Sequence, residues 1–253
     1  MAVRDEILAF LDELLEPGEW QDYGPNGLQV PGAADVSLVV TGVSAHRELF
    51  ERAAQAGAQL VLCHHGLFWD SQPRSVSAQM RARLEALFAA DMSLAAYHLP
   101  LDAHPVVGNN ALLCEALGLE RGEPFGDTRG RPLGFVGHAR GEGIALPELL
   151  ERCRSALGQE PLAFDAGPEP VRTIGVVSGG GGSALREAID AGLDALLTGE
   201  PEEFAMAEAR EAGIHFIAAG HYATETLGVR RLGELVAERF GVEHRFVPVP
   251  NPV

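Results

Sequence analysis

Basic residues are scarce in this chain: Lys and Arg together number 19 against 36 Asp and Glu, a formal net charge of −17. Nucleic-acid binding draws its affinity from clustered cations on phosphates, so a nucleic-acid partner is not expected. Arg81, Arg83, Arg230 and Arg231 read as solvated helix faces rather than a basic groove. Cysteine is also sparse. Cys63, Cys114 and Cys153 are an odd number without close spacing, which suits buried thiols in a reducing, cytoplasmic compartment better than disulfides. No run approaches the roughly 20 apolar residues a membrane helix needs, so no membrane role is expected. Near the start, Arg4, Asp5, Glu6, Asp12 and Glu13 interrupt what a signal peptide would keep apolar. Ile7, Leu8, Leu11, Leu14 and Leu15 recur there at helical spacing instead, predicting an amphipathic helix.

What remains is ordinary globular material, 46% hydrophobic and 22% charged over 253 residues, enough for one large domain or two smaller ones. Short apolar runs alternate with helical stretches, which predicts an α/β protein. Strands are expected at 36–41, 60–63, 93–97, 133–139, 173–178, 195–198, 214–219 and 245–248. Helices are expected at 44–56, 77–90, 109–117, 146–156, 182–191, 202–212 and 224–240. Gly57 and Gly213 are among the glycines placed where helices should end. Residues 121–131 are rich in Gly, Pro and charge and read as a linker or exposed loop, and 165–170 form a second polar break. Three blocks follow: an N-terminal α/β unit over 1–125, a middle segment over 126–170, and a C-terminal α/β unit over 171–253, the two α/β units interleaving. The Ser178–Ser183 stretch, flanked by a strand and a helix, reads as a turn between them. It lacks the ending of a P-loop, and its glycines suggest at most an anion-binding nest.

Three segments concentrate histidines and carboxylates at the ends of expected strands. In Val61-Leu62-Cys63-His64-His65-Gly66, two imidazoles stand at the carboxyl edge of a strand, where α/β proteins bind ligands. Adjacent strand residues point to opposite faces, so two metal ions take this pair more easily than one. In Tyr97-His98-Leu99-Pro100-Leu101-Asp102-Ala103-His104, Asp102 is the ligand candidate and His98 suits proton transfer, while His104 is more simply exposed. Asn109 and Asn110 are expected to cap the next helix. In Gly220-His221-Tyr222-Ala223-Thr224-Glu225, His221 and Glu225 lie four residues apart and share one helical face. Five such donors exceed the usual three of a catalytic zinc site and fit two ions, with Glu225 as the natural bridge. His46, His138, His215 and His244 read as core or surface histidines, Cys63 as a small apolar residue, and Glu200 as a cap or a residue facing the site.

Cys63-His64-His65-Gly66-Leu67-Phe68, Tyr97-His98 through Leu101-Asp102-Ala103, and Gly220-His221-Tyr222-Ala223-Thr224-Glu225 together resemble the Nif-three-like dinuclear metal-centre family, whose members are often called GTP cyclohydrolase 1 type 2 homologues. Asn26-Gly27-Leu28-Gln29-Val30 and Thr198-Gly199-Glu200 extend the likeness over about residues 20 to 230. The resemblance implies metal ligands at His64, His65, Asp102, His221 and Glu225. It also implies a two-lobed α/β subunit with mixed sheets flanked by helices, in a short form without an inserted domain, and a toroidal homohexamer. The expected cofactors are two divalent ions per subunit, zinc, iron or manganese. The expected activity is that of a metal-dependent hydrolase on a small anionic or nucleotide-like substrate, with His98 moving a proton. The alternative is a non-catalytic metal store, chaperone or regulatory module.

Overall fold

The computed structural model describes residues 1–253 and has the expected α/β architecture, with mixed sheets and flanking helices. No helix is long and apolar enough to cross a membrane. The chain forms two compact units, the first from residues 1–101 and 228–249, the second from 102–227 and 250–253. Along the sequence the boundaries fall at Leu101/Asp102, Leu227/Gly228 and Val249/Pro250. Residues 120–128 pair with 131–138, so the stretch expected to be a linker or exposed loop is a strand hairpin of the second sheet.

The first unit is built on a five-stranded sheet ordered Glu243–Phe246, Leu38–Ser44, Leu60–His65, Ser93–Ala96, Gly27–Val30. The first four strands pair in parallel and the last runs antiparallel. Leu38–Ser44 and Leu60–His65 are buried nearly throughout, as their unbroken apolar runs require of central parallel strands. Helix Arg47–Ala56 turns Leu49, Phe50 and Ala53 onto Val40, Val61 and Cys63, and Leu87 of helix Ala78–Ala89 joins them. Each such fully buried Leu or Val contributes ~2 kcal/mol. The helix start is fixed by His46, whose Nδ1 accepts from the Leu49 N–H at 3.3 Å, and its end by Gly57 at φ +79°. The predicted N-terminal helix spans Arg4–Leu15 and meets the final helix, Thr226–Phe240, through Phe10 and Phe240 at 5.8 Å.

The second unit carries a six-stranded sheet ordered Glu120–Thr128, Arg131–His138, Thr173–Val176, Ala195–Thr198, His215–Ala218, Leu162–Phe164. Thr173–Val176, Ala195–Thr198 and His215–Ala218 are parallel, and antiparallel strands flank them. Ile174, Val176, Leu197 and Ile217 pack with Leu146, Leu149 and Cys153 of helix Leu146–Leu157. The Ser178–Ser183 stretch makes the expected connection, through a short 3₁₀ turn into helix Leu185–Asp190. In both units the donor-rich segments follow the carboxyl ends of parallel strands.

Candidate metal centre

In the first unit the strand Leu60–His65 delivers His64 and His65, and the neighbouring strand Ser93–Ala96 leads directly to His98. Ring nitrogens of these three histidines lie within 4.8 Å of one another. The ring centroids of His64 and His65 are 4.7 Å apart, and His98 stands 5.1 Å from His64 and 5.5 Å from His65. Each ring has an oxygen partner at Nδ1. His64 Nδ1 donates to the main-chain carbonyl of Tyr97 at 3.0 Å, which leaves the lone pair on Nε2, the arrangement of a metal-ligating imidazole. His65 Nδ1 is 3.2 Å from Ser44 Oγ, which the strand register sets beside it. His98 Nδ1 donates to Asp22 Oδ1 at 2.7 Å.

His64 is fully buried, whereas His65 and His98 are partly open. Trp69 stands edge-on to His98 at 5.1 Å and is tied back by its Nε1–H to the Gly66 carbonyl. Beside these rings lies a narrow cleft of about 10 Å³, room for little more than one water, whose lining includes Asn26, Gln29, His64, Gly66, Trp69 and His98. A Cβ at Gly66 would meet the Gln29 amide at 2.1 Å, so the Gln29 side chain would have to move.

In the second unit Asp102, His221 and Glu225 are the sequence-derived candidates. Asp102 is 3% exposed, and its Oδ1 accepts from Asn109 Nδ2 at 2.8 Å and Ser178 Oγ at 3.1 Å. Asn109 and Asn110 therefore do not cap the helix Asn109–Ala116, whose N-cap is Gly108. They are buried instead: Asn110 Nδ2 donates to the carbonyls of Asp102 and Leu133, and its Oδ1 accepts from the Ser178 N–H at 2.7 Å. Those bonds fix the turn that begins the glycine run. Gly179 follows at φ +62°, and a Cβ on it would sit 2.2 Å from Glu225 Oε1. Only glycine lets that backbone approach the carboxylate so closely.

His221 opens the short helix His221–Thr224, and its Nε2 lies 3.2 Å from Glu225 Oε1, as the four-residue spacing implies. Its Nδ1 is hydrogen-bonded to Glu200. Burial, the largest influence, disfavours the imidazolium, but Glu225 and Glu200 together outweigh it and raise the pKa to about 9. Before any ion binds, the charged ring adds stability in full below the unfolded pKa of roughly 6.5, and that contribution is lost as pH rises through about 9. Glu225 itself is 3% exposed.

Sequence reasoning overlooked Asp22, a lone carboxylate in an irregular segment, and left Glu200 undecided. The Asn26 that binds the His98 main chain at 2.8 Å had entered only as part of a family-like motif. The other histidines are structural. His215 is fully buried and bridges Gly167 N–H and the Pro168 carbonyl, and His104 accepts from the main chain of Val106 and Val107.

A mixed α/β chain with imidazoles and carboxylates gathered at parallel strand ends offers groups that could hold a divalent cation. Sequence comparison gives the family: residues 2–252 match Duf34/NIF3 (NGG1p interacting factor 3), and the chain belongs to it. A "GTP cyclohydrolase 1 type 2 homolog" of Pseudomonas aeruginosa is 45% identical, with 95% of each chain covered. Its namesake in Escherichia coli K12 is 40% identical, with 98% of each covered. Among solved structures, a protein of unknown function called ybgI superposes with a TM-score of 0.93 at 39% identity over the whole of both chains. TTHA1606 from Thermus thermophilus gives 0.88 at 35% identity, again over the whole of both chains.

Proposed function

We propose that this protein binds two divalent metal ions through His64, His65, Asp102, His221 and Glu225, and that it is a hydrolase of small anionic or nucleotide-like substrates. The observation that carries the metal reading is the gathering of imidazole nitrogens within 4.8 Å in the first unit, with a carbonyl fixing the tautomer of His64. The donor set fits zinc, iron(II) or manganese: it offers nitrogen and carboxylate oxygen, and no sulfur. When bound, such ions acidify water and polarise a phosphoryl or ring-amidine group.

The remaining work falls to the chain's own residues. His98 holds and moves a proton at Nε2, its Nδ1 being engaged by Asp22. Trp69 shields one side of that ring and narrows the cleft beside it. Asn109 and Ser178 hold the Asp102 carboxylate oxygen in place, and Glu200 orients His221. An anionic substrate is compatible with a chain of net charge −17 because bound cations screen it. The names of the relatives make GTP the first compound to try.

Three free, buried cysteines support placement in the cytoplasm. A homohexamer rests on the family resemblance, and exposed Val76, Phe88 and Val106 offer apolar surface for such contacts.

The deciding experiment is metal analysis of purified, untagged protein by inductively coupled plasma mass spectrometry, beside His64→Ala and Glu225→Ala. About two ions per chain, falling sharply in both variants, is the expected outcome. One ion or none, with metal supplied and chelators avoided, would sink the dinuclear reading. Two ions with no turnover of GTP or other small phosphate compounds would favour a metal store or regulatory module over a hydrolase.

A further inference from the structure

The segment that carries Asp22 belongs to none of the five predicted ligand positions, yet its side chain is 3% exposed and engaged on both oxygens. Oδ1 accepts from His98 Nδ1 at 2.7 Å and from the Tyr23 N–H at 2.6 Å. Oδ2 accepts from the Leu99 N–H and from Asn26 Nδ2, both at 2.9 Å. Asn26 returns a bond through its Oδ1, which accepts from the His98 N–H at 2.8 Å. The loop at 22–26 is thus bonded to His98 at both its ring and its main chain.

We propose that Asp22 is a positioning residue for His98: it holds the ring as the Nδ1–H tautomer and presents the Nε2 lone pair as the proton acceptor of the site. This rests on the reading of His98 as a proton-transfer residue. The argument is one of donors and acceptors. N–H groups approach both oxygens of Asp22, so neither oxygen is placed to donate a proton of its own. The proton in the His98–Asp22 contact must then sit on Nδ1.

The consequence for proton transfer is definite. Nε2 takes a proton from a water or hydroxyl group, the O–H bonding pair staying on oxygen. The imidazolium so formed keeps its Nδ1–H on the Asp22 carboxylate, which stabilises the added charge. The same proton then leaves Nε2 for the departing group, and the ring returns to its starting tautomer. Asp22 exchanges no proton at any stage, which is the role of the carboxylate in a Ser-His-Asp triad. Tyr23 and Trp69, edge-on to His98 at 6.1 Å and 5.1 Å, leave the ring little freedom to flip.

The test is the tautomer itself, read from imidazole nitrogen shifts in ¹⁵N-labelled, metal-stripped, full-length protein at a pH where the ring is neutral. The His98 signals are identified by their loss in His98→Gln. The expected result is a protonated Nδ1 and an unprotonated Nε2. In Asp22→Asn the carboxamide must turn an N–H₂ toward one of the donor pairs, and the two nitrogen resonances should exchange character or average, with the fold retained by circular dichroism. Asn26→Ala, which leaves the carboxylate in place, should keep the wild-type pattern. A wild-type ring protonated at Nε2, or an Asp22→Asn pattern indistinguishable from wild type, would overturn the proposal. If Asp22→Asn does not fold, the wild-type and Asn26→Ala spectra still decide it. Because the metal is removed first, failure here is separate from failure of the dinuclear reading.

Discussion

The two units hold their candidate ligand groups still, in a buried setting, by opposite means. In the first unit the donors are imidazoles, and the most buried of them, His64, is oriented by the Tyr97 main-chain carbonyl. In the second the donors are mainly carboxylates, and Asp102 is held by the side chains of Asn109 and Ser178, which Asn110 in turn supports. A main-chain partner survives side-chain substitution; a network of buried amides does not. The second unit is therefore the more fragile of the two.

Gly179→Ala should break that unit most severely. The added Cβ collides with Glu225 and the residue must keep a left-handed φ, for an expected loss of ~2–4 kcal/mol of stability. Thermal melting and metal content should both fall. Asn110→Ala should follow, at about 2–3 kcal/mol, because it strips hydrogen bonds from the buried Ser178 N–H and Leu133 carbonyl. Urea unfolding measures it, and a cost under ~0.5 kcal/mol would show that the amide network is not what holds Asp102.

Tyr97→Phe sharpens the contrast from the other side. It removes the phenol bond to Asp12 at 2.6 Å but leaves the carbonyl on His64. Stability should drop by about 1 kcal/mol with metal content unchanged. A loss of metal would mean that His64 depends on the side chain after all. The smallest effect concerns His244, a first-unit histidine whose Nε2 pairs with Thr41 Oγ1 at 2.8 Å. Burial depresses its pKa, Glu234 opposes that, and Arg230 adds to it. The unfolded chain then binds the proton more readily, so stability is whole above roughly pH 6.5 and declines as pH falls below it. Denaturant midpoints from pH 7.5 to 5.5 should converge between wild type and His244→Gln, and a constant gap would contradict this.

Regular elements with strong periodicity were legible in the amino-acid sequence. The strand Ala195–Thr198 lies where its apolar run puts it, and the helix Arg47–Ala56 ends at its glycine. The hairpin strand Glu120–Thr128 was not, because Gly122, Pro124 and Gly126 look like a loop. One face of it is solvent-exposed, a bulge interrupts the pairing between Arg121 and Pro124, and Phe125 alone marks its buried side strongly. Within the candidate site, histidines at strand ends announced themselves, since imidazole seldom closes an apolar run. Asp22 could not, because its partner lies 76 residues away and nothing local distinguishes it from a surface carboxylate. Asn109 and Asn110 misled for a related reason: a helix start explains an asparagine cheaply, and the competing explanation is tertiary.

Cys63, one residue before His64, shows what burial in the apolar core withholds. Its side chain belongs to the apolar layer with Val61 and Leu94, and burial pushes the thiol's pKa upward so that it stays protonated. Sulfur, the donor that copper(I) and cadmium seek, is kept in hydrocarbon while nitrogen and oxygen face the site. The thiol is thus held away from the candidate site by its packing in the core, with no residue devoted to it.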